Sequence, residues 1–250
     1  MKNFLFIVLV MIFATHLLNA DLIKLGSAQT RTGILINTET QLKVNLEIEN
    51  INTFTADADD EYYTRLSIPG FSYSTGIGEP ELPVWRKIIS VPWGAEVEIN
   101  IENYNLEELN LADQSVFHPV FPAQPSRSKA ADPSEIQFKI NQDAYLRNEY
   151  NNSELVLVEE LGIMRGHRLF LITFQPVSYN PVANSLRIHN NLTVNLDFTG
   201  GDLDYTNWQQ ERTFSPDFES VYRKSIFNYH SLPSRDVLTS YPMKYVIISD

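Results

Sequence analysis

The 250-residue chain contains no cysteine. Disulfide scaffolds, thiolate metal sites and a cysteine nucleophile are therefore excluded within it. Basic charge is scarce as well: 19 Lys and Arg stand against 31 Asp and Glu, a net charge of −12. A nucleic-acid surface needs a basic footprint, so nucleic acid is not expected as a partner. Anionic lipid is disfavoured by the same sign of charge. No fixed-period repeat and no low-complexity tract interrupts the chain. His118, His167, His189 and His230 show no metal-ligand spacing, so neither metal nor cofactor is expected. No nucleophile–base or paired-carboxylate motif is readable, and no catalytic residue is assigned within residues 1–250.

Long apolar runs are confined to the start. Met1-Lys-Asn3 precedes the unbroken apolar stretch Phe4–Phe13, and Ala20 is a small residue shortly after it. That is the three-part pattern of an export signal, with the cut expected between Ala20 and Asp21. The apolar stretch falls short of the about 20 residues that a membrane-spanning helix needs. Residues 1–20 are therefore read as a removable leader, with no membrane partner afterwards. The leader carries one Lys and no acid, so its loss takes the net charge from −12 to −13. About 230 residues remain, enough for a core that needs no covalent staples.

What fills those residues is strand pattern. Gln41–Glu49 alternates, with Leu42, Val44, Leu46 and Ile48 on one face. Glu96–Glu102 and Glu135–Ile140 alternate as cleanly, and Leu186, Ile188, Leu192, Val194, Leu196 and Phe198 share even parity around a polar His189-Asn-Asn191 centre. Period two predicts strands with one buried and one wet face. Leu155–Val158 and Leu169–Phe174 are continuous apolar runs suited to central strands. Turn residues separate them at Ile68-Pro-Gly70, Gly76-Ile-Gly78, Tyr179-Asn-Pro181 and Gly200-Gly201. The expected fold is all-β, an antiparallel sandwich or flattened barrel over residues 21–228.

One short helix is predicted near the end. Ser215-Pro-Asp supplies a cap, a first-turn proline and an acid, and Phe218, Val221, Tyr222 and Ile226 recur at helical spacing. It is expected to run to about Asn228. Residues 229–243 read as a polar linker. Lys244-Tyr-Val-Ile-Ile-Ser-Asp250 then reads as the first buried strand of a further α/β domain. Elsewhere, Asp57–Glu61 fails the calcium-loop template and reads as a solvated acidic turn, and His167 reads as a turn residue between strands.

Three stretches, Gly78-Glu-Pro-Glu-Leu-Pro83 followed by Ile88–Ala95, Phe121-Pro-Ala-Gln-Pro125, and the helix end with its linker running into Lys244–Asp250, carry a family resemblance. Together they resemble the propeptide of gingipain-type cysteine peptidases, running into the first strand of a caspase-like catalytic domain. The resemblance covers Leu25 to Asp250. It implies that the chain blocks and assists the folding of a peptidase in the same precursor during export, and that the catalytic Cys and His lie beyond Asp250.

On that resemblance, the small and polar stretch Gln124–Pro133 is the expected inhibitory loop. An extended loop can occupy a protease cleft as a substrate would. Such peptidases are similar in preferring a basic residue at the cut, so Arg127 or Lys129 would fill the pocket. Arg235, in the linker, is the expected processing site. The rival expectation is a secreted β-sandwich binding module for carbohydrate or a cell-surface partner, and fold class alone does not separate the two.

Overall fold

In the computed structural model, residues 21–126, 137–151 and 154–230 are described, and they form an antiparallel β structure with short helices. The strands are β1 Asp21–Lys24, β2 Arg31–Asn37, β3 Gln41–Glu47, β4 Asn50–Ala58, β5 Glu61–Ser67 and β6 Ser72–Tyr73. They continue as β7 Pro83–Val91, β8 Glu96–Asn110, β9 Val156–Met164, β10 His167–Phe174, β11 Val177–Asn180 and β12 Ser185–Thr199. The helices are α1 Gln142–Tyr145, α2 Leu203–Thr213 and α3 Pro216–Ser225.

Three sheets share one core. β1-β4-β5 is the smallest, and β6-β7-β10-β9 is the second. In the third, the long β12 pairs with β8 along one edge and, on the other, first with β11 and then with β3, beyond which lies β2. Leu42, Val44 and Leu46 of β3, the even-numbered face of β12, Trp85 and Ile89 of β7 and Phe170, Ile172 and Phe174 of β10 all join a single apolar cluster. The alternation in the sequence thus places the core residues correctly, because successive strand side chains point to opposite faces.

The polar centre of β12 has a structural purpose. The ladder to β8 slips at Asn190–Thr193, with Asn191 at φ 50. Asn190 is 1% exposed and its amide pairs with the backbone of Ile48, where β3 gives way to β4. Its Nδ2 also donates to Glu107 Oε1 at 2.7 Å. A buried amide is tolerated here because both ends are paired.

Four expectations need correction. The helix predicted to about Asn228 ends at Ser225, because Ile226 is extended and bridges Ile88. Residues 137–140 form no strand; Phe138 is used to pack against Tyr63 and Phe121 instead of lining a ladder. The apolar face of β8 is only partly covered: Val97 and Leu109 pack against the core, whereas Ile99 and Ile101 are 42% and 39% exposed although they stand opposite buried Leu196 and Val194. Among the described strands β8 pairs with β12 alone, so it forms an edge of the sheet. His167 is the first residue of β10 and only 6% exposed; the hairpin turn is made by Arg165-Gly166, both at positive φ.

Helix α2 carries no readable apolar stripe. Its buried residue is Thr206, whose hydroxyl accepts from Trp93 N at 2.9 Å and donates to Asp202 O at 2.6 Å. Asp202 caps the helix by accepting from Tyr205 N at 2.8 Å. The β9–β10 hairpin tip seats on this helix, with Trp93 Nε1 donating to Gly166 O at 3.0 Å and Thr213 Oγ1 donating to Arg165 O.

Candidate functional site

The segment Gly76–Pro83 runs extended between two other pieces of chain and is tied to both. Gly76-Ile-Gly78 turns first, with Gly78 at φ 79 and Glu79 N donating to Gly76 O at 3.0 Å. On one side, Gly78 N donates to Ala123 O, Ala123 N to Glu79 O and Glu81 N to Phe121 O, each at 2.8 Å. On the other, Asn141 N donates to Gly78 O at 2.9 Å. Pro80 and Pro122 stand opposite each other in this ladder as a non-hydrogen-bonded pair, whose backbone groups point away from one another, so neither missing N–H costs the ladder a bond. Ser74 steadies the far edge, accepting from Leu82 N at 2.9 Å.

Phe121–Gln124 and Phe138–Asn141 are therefore the two stems of residues 125–137, and they are brought side by side. Gln124 closes them: its Oε1 accepts from Lys139 N at 2.9 Å and its Nε2 donates to Lys139 O at 2.7 Å. Phe138 packs edge-on against Phe121 at 5.7 Å and against Tyr63 at 5.5 Å, with the Arg65 guanidinium 3.8 Å over the Phe121 ring. Arg65 also pairs with Glu81 at 3.1 Å, where burial nonetheless holds the carboxyl above its ordinary value. The returning stem enters α1, capped by Asn141, and Tyr145 Oη donates to Val120 O at 2.6 Å. Burial raises the Tyr145 phenol and pushes that of Tyr179, which donates to Asn184 at 2.8 Å, up to about 12. Both remain neutral donors.

The second organised region is where the chain leaves the domain. Phe227 N donates to Ile88 O at 2.7 Å, and the Asn228 amide pairs with Ser90, accepting from its N–H at 2.7 Å and donating to its carbonyl at 2.9 Å. His167 lies beneath, 4.8 Å from the Tyr222 ring and 5.6 Å from that of Tyr229, with Ser90 Oγ 3.4 Å from Nδ1. This Ser–His pair is no nucleophile–base couple of the catalytic kind. Glu219 accepts from Tyr229 Oη at 2.7 Å and does not orient the imidazole. Burial lowers the His167 pKa, opposed by the charge of Glu219. Tyr229, placed by sequence at the head of the linker, is packed into this cluster.

Of the residues singled out from sequence, Asp21 opens β1 opposite Thr53. Ala20, Arg127, Lys129 and Arg235 lie outside the described residues. Sequence reasoning missed the backbone-pairing roles of Gln124, Asn190 and Asn228; an amide side chain among strands is no signal unless its distant partner is known. Among the described residues, no helix is long and apolar enough to cross a membrane.

Comparison with known proteins gives this geometry a context. Residues 29–235 match the family Propeptide_C25, a span that includes both stems and the exit segment. Lys-gingipain of Porphyromonas gingivalis is 32% identical over 248 residues, covering 96% of this chain and 14% of that protein. Gingipain R1 of the same organism is 24% identical over 164 residues, 63% of this chain and 16% of the relative. The chain thus spans a small part of the curated relatives it matches. A structure that addresses the zymogenic latency of gingipain K from Porphyromonas gingivalis superposes with a TM-score of 0.69 at 33% identity, covering 73% of this chain and 100% of that one. The complex of Porphyromonas gingivalis RgpB pro- and mature domains shares the fold, with a TM-score of 0.63 at 20% identity and coverage of 82% and 100%. The matched span holds the Gly78–Pro83 clasp, both stems and the Asn228 exit, and the chain belongs to the Propeptide_C25 family.

Proposed function

We propose that this chain is the inhibitory and folding-assistant propeptide of a secreted gingipain-like cysteine peptidase precursor. The observation that carries the reading is the family match over residues 29–235. Zymogenic latency is the subject of the gingipain K structure, and the RgpB structure joins pro- and mature domains. In this reading residues 1–20 direct export and are cut between Ala20 and Asp21. The partner is the peptidase domain of the same precursor, whose catalytic Cys and His lie outside this chain. Arg127 or Lys129 occupies the basic-residue pocket of the peptidase in the manner of a substrate. Arg235 is the site of the activating cut, a reading supported by a basic residue in the polar stretch between the domain and Lys244–Asp250.

The test is titration of the purified chain, from Asp21 onward, against the mature peptidase of its own precursor. Active-site-directed inhibition is expected, lost on Arg127→Ala or Lys129→Ala according to which side chain fills the pocket. An Arg235→Ala precursor is expected to accumulate uncut. A chain that neither inhibits the peptidase nor improves its refolding yield would sink the reading.

A further inference from the structure

We propose that the exposed aromatic rim of α2 and α3, centred on Trp208 and Phe218, is the surface on which the peptidase domain of the same precursor seats. The inference rests on the propeptide reading above and adds to it a docking face on the described part of the chain.

The rim begins with the register of α2. The helix is held to its own domain through Thr206 and Thr213, with the backbone of Gln209 under the hairpin tip. Tyr205, Trp208 and Arg212 each stand one residue earlier, so they share the neighbouring stripe of the helix and face outward. Tyr205 is 41% and Trp208 50% exposed, and their rings stack at 5.6 Å with 27° between the planes. The Arg212 guanidinium lies 4.6 Å from the centre of the Trp208 ring. Phe214, Phe218 and Val221 follow, also exposed. Large apolar side chains scattered singly over a surface are ordinary, but five between Tyr205 and Val221 form a patch.

Ring and hairpin contacts make the patch continuous with the exit of the chain. Tyr205 meets Trp93 edge-on at 5.6 Å, and Trp93 Nε1 donates to Gly166 O. The neighbouring Arg165 lies 4.2 Å over the Phe218 ring. Phe218 is 6.3 Å from Tyr222, which is 5.6 Å from Tyr229. The contacts therefore run from Trp208 to Tyr229, next to His230, where the described chain ends.

That continuity names the occupant. On the propeptide reading the peptidase domain is joined to the chain beyond His230, so it is delivered at one end of the rim with the effective concentration of a tethered partner. Charge points the same way. Arg165 and Arg212 lie over rim rings, and neither is in an ion pair among the described residues. They call for an apolar surface with carboxylates opposite. A second copy of this chain would bring the same guanidiniums to the rim and a net charge of −12 against −12. Trp, Tyr and Arg are also the side chains that anchor protein interfaces, because a large contact is fixed at little rotamer cost.

The experiment uses the purified chain from Asp21 onward and the mature peptidase of its own precursor. Calorimetry gives the dissociation constant for wild type, Trp208→Ala, Phe218→Ala and Arg212→Glu. Phe54→Ala is the control, a β4 ring 37% exposed like that of Phe218 but in the β1-β4-β5 sheet. Trp208→Ala is expected to weaken binding about thirtyfold and the other two rim variants about tenfold, with the thermal midpoint of the free chain little changed. Phe54→Ala is expected to bind as wild type does. In the complex, amide exchange over Leu203–Thr213 and Pro216–Ser225 is expected to slow. Wild-type affinity in Trp208→Ala and Phe218→Ala, or unslowed exchange over both helices, would overturn the docking face and leave the propeptide reading standing. Self-association of the free chain that Trp208→Ala abolishes would assign the rim to a second copy and overturn it equally. A wild-type chain that does not bind the peptidase would overturn the propeptide reading and the docking face together.

Discussion

The side-chain amide of Asn190 hydrogen-bonds both the N–H and the C=O of Ile48, at 2.9 Å each, across 142 positions of sequence. Asn228 does the same to Ser90 and Gln124 to Lys139. In each case an amide substitutes for a strand where no strand is available: at the end of β3, beside β7 beyond the reach of the two-residue β6, and at the loop neck. An amide is the only neutral side chain that carries a donor and an acceptor at the spacing of a peptide group. It therefore satisfies a backbone edge that would otherwise be buried and unpaired.

Asn190→Ala should be costly for that reason. The change leaves the Ile48 N–H and C=O without partners inside the core, and removes a bond to Glu107. A loss of about 3 kcal/mol is expected, measured as a shift in the urea midpoint at unchanged slope. A loss below about 1 kcal/mol would mean that water replaces the amide.

The His167 cluster should make stability fall on acidification. The imidazole is faced by Ser90 from β7, by Tyr222 and Glu219 from α3, and by Tyr229, and burial lowers its pKa below 6.5. The unfolded chain then binds the proton more readily than the folded one, so stability is full above the unfolded value and declines as pH drops through and below it. Glu81, held high by burial, has the opposite sign and acts nearer 4.5. Urea titrations from pH 8 to about 5 should show the decline in wild type, and His167→Phe should reduce it, leaving the part due to His189, whose pKa burial also lowers. An unchanged slope in the variant would exclude His167 as its source.

Gly166→Ala should undock the β9–β10 hairpin from α2. The added Cβ would lie 2.6 Å from both Gln209 O and Thr213 Oγ1, at a φ of 87 that disfavours any side chain. A loss of about 2–4 kcal/mol is expected. Fluorescence should report it, because Trp93 donates to the Gly166 carbonyl and stacks edge-on with Tyr205.

Ile101 and Val194, paired across β8 and β12, should respond very differently to truncation. Val194 is wholly buried while Ile101 is 39% exposed. Val194→Ala is expected to cost about 2–3 kcal/mol and Ile101→Ala about 1 kcal/mol, by calorimetry of both variants. Equal costs would show that the inner face of β8 is covered in solution.

The residues that were legible in sequence are those whose role is repeated along one strand or signalled within one turn. Leu42, Val44 and Leu46 declare a buried face by alternation, and Ser215-Pro216 declares a helix start. Helix α2 was not legible, because it docks through Thr206 and its apolar residues Leu203, Tyr205 and Trp208 form no single stripe. Its one local signal, Asp202 with an acid in the first turn, stood next to Gly200-Gly201 and was absorbed into a turn. Phe138 alternates with Ile140 as a strand would, yet its partner is a ring on another stem.

By itself the sequence determined the all-β class, the faces of the long strands, the turns and the resemblance to gingipain propeptides. The first three rest on local chemistry, namely side-chain period, φ preference and proline's missing donor, and the resemblance rests on the stretches Gly78–Pro83, Ile88–Ala95, Phe121–Pro125 and Lys244–Asp250. Only the tertiary structure decided where Gln124, Asn190 and Asn228 find their partners, where α3 yields to an extended exit, and which part of the apolar face of β8 stays open. Those outcomes depend on which backbone edges remain unpaired after the sheets assemble, and an unpaired edge is a property of the whole fold.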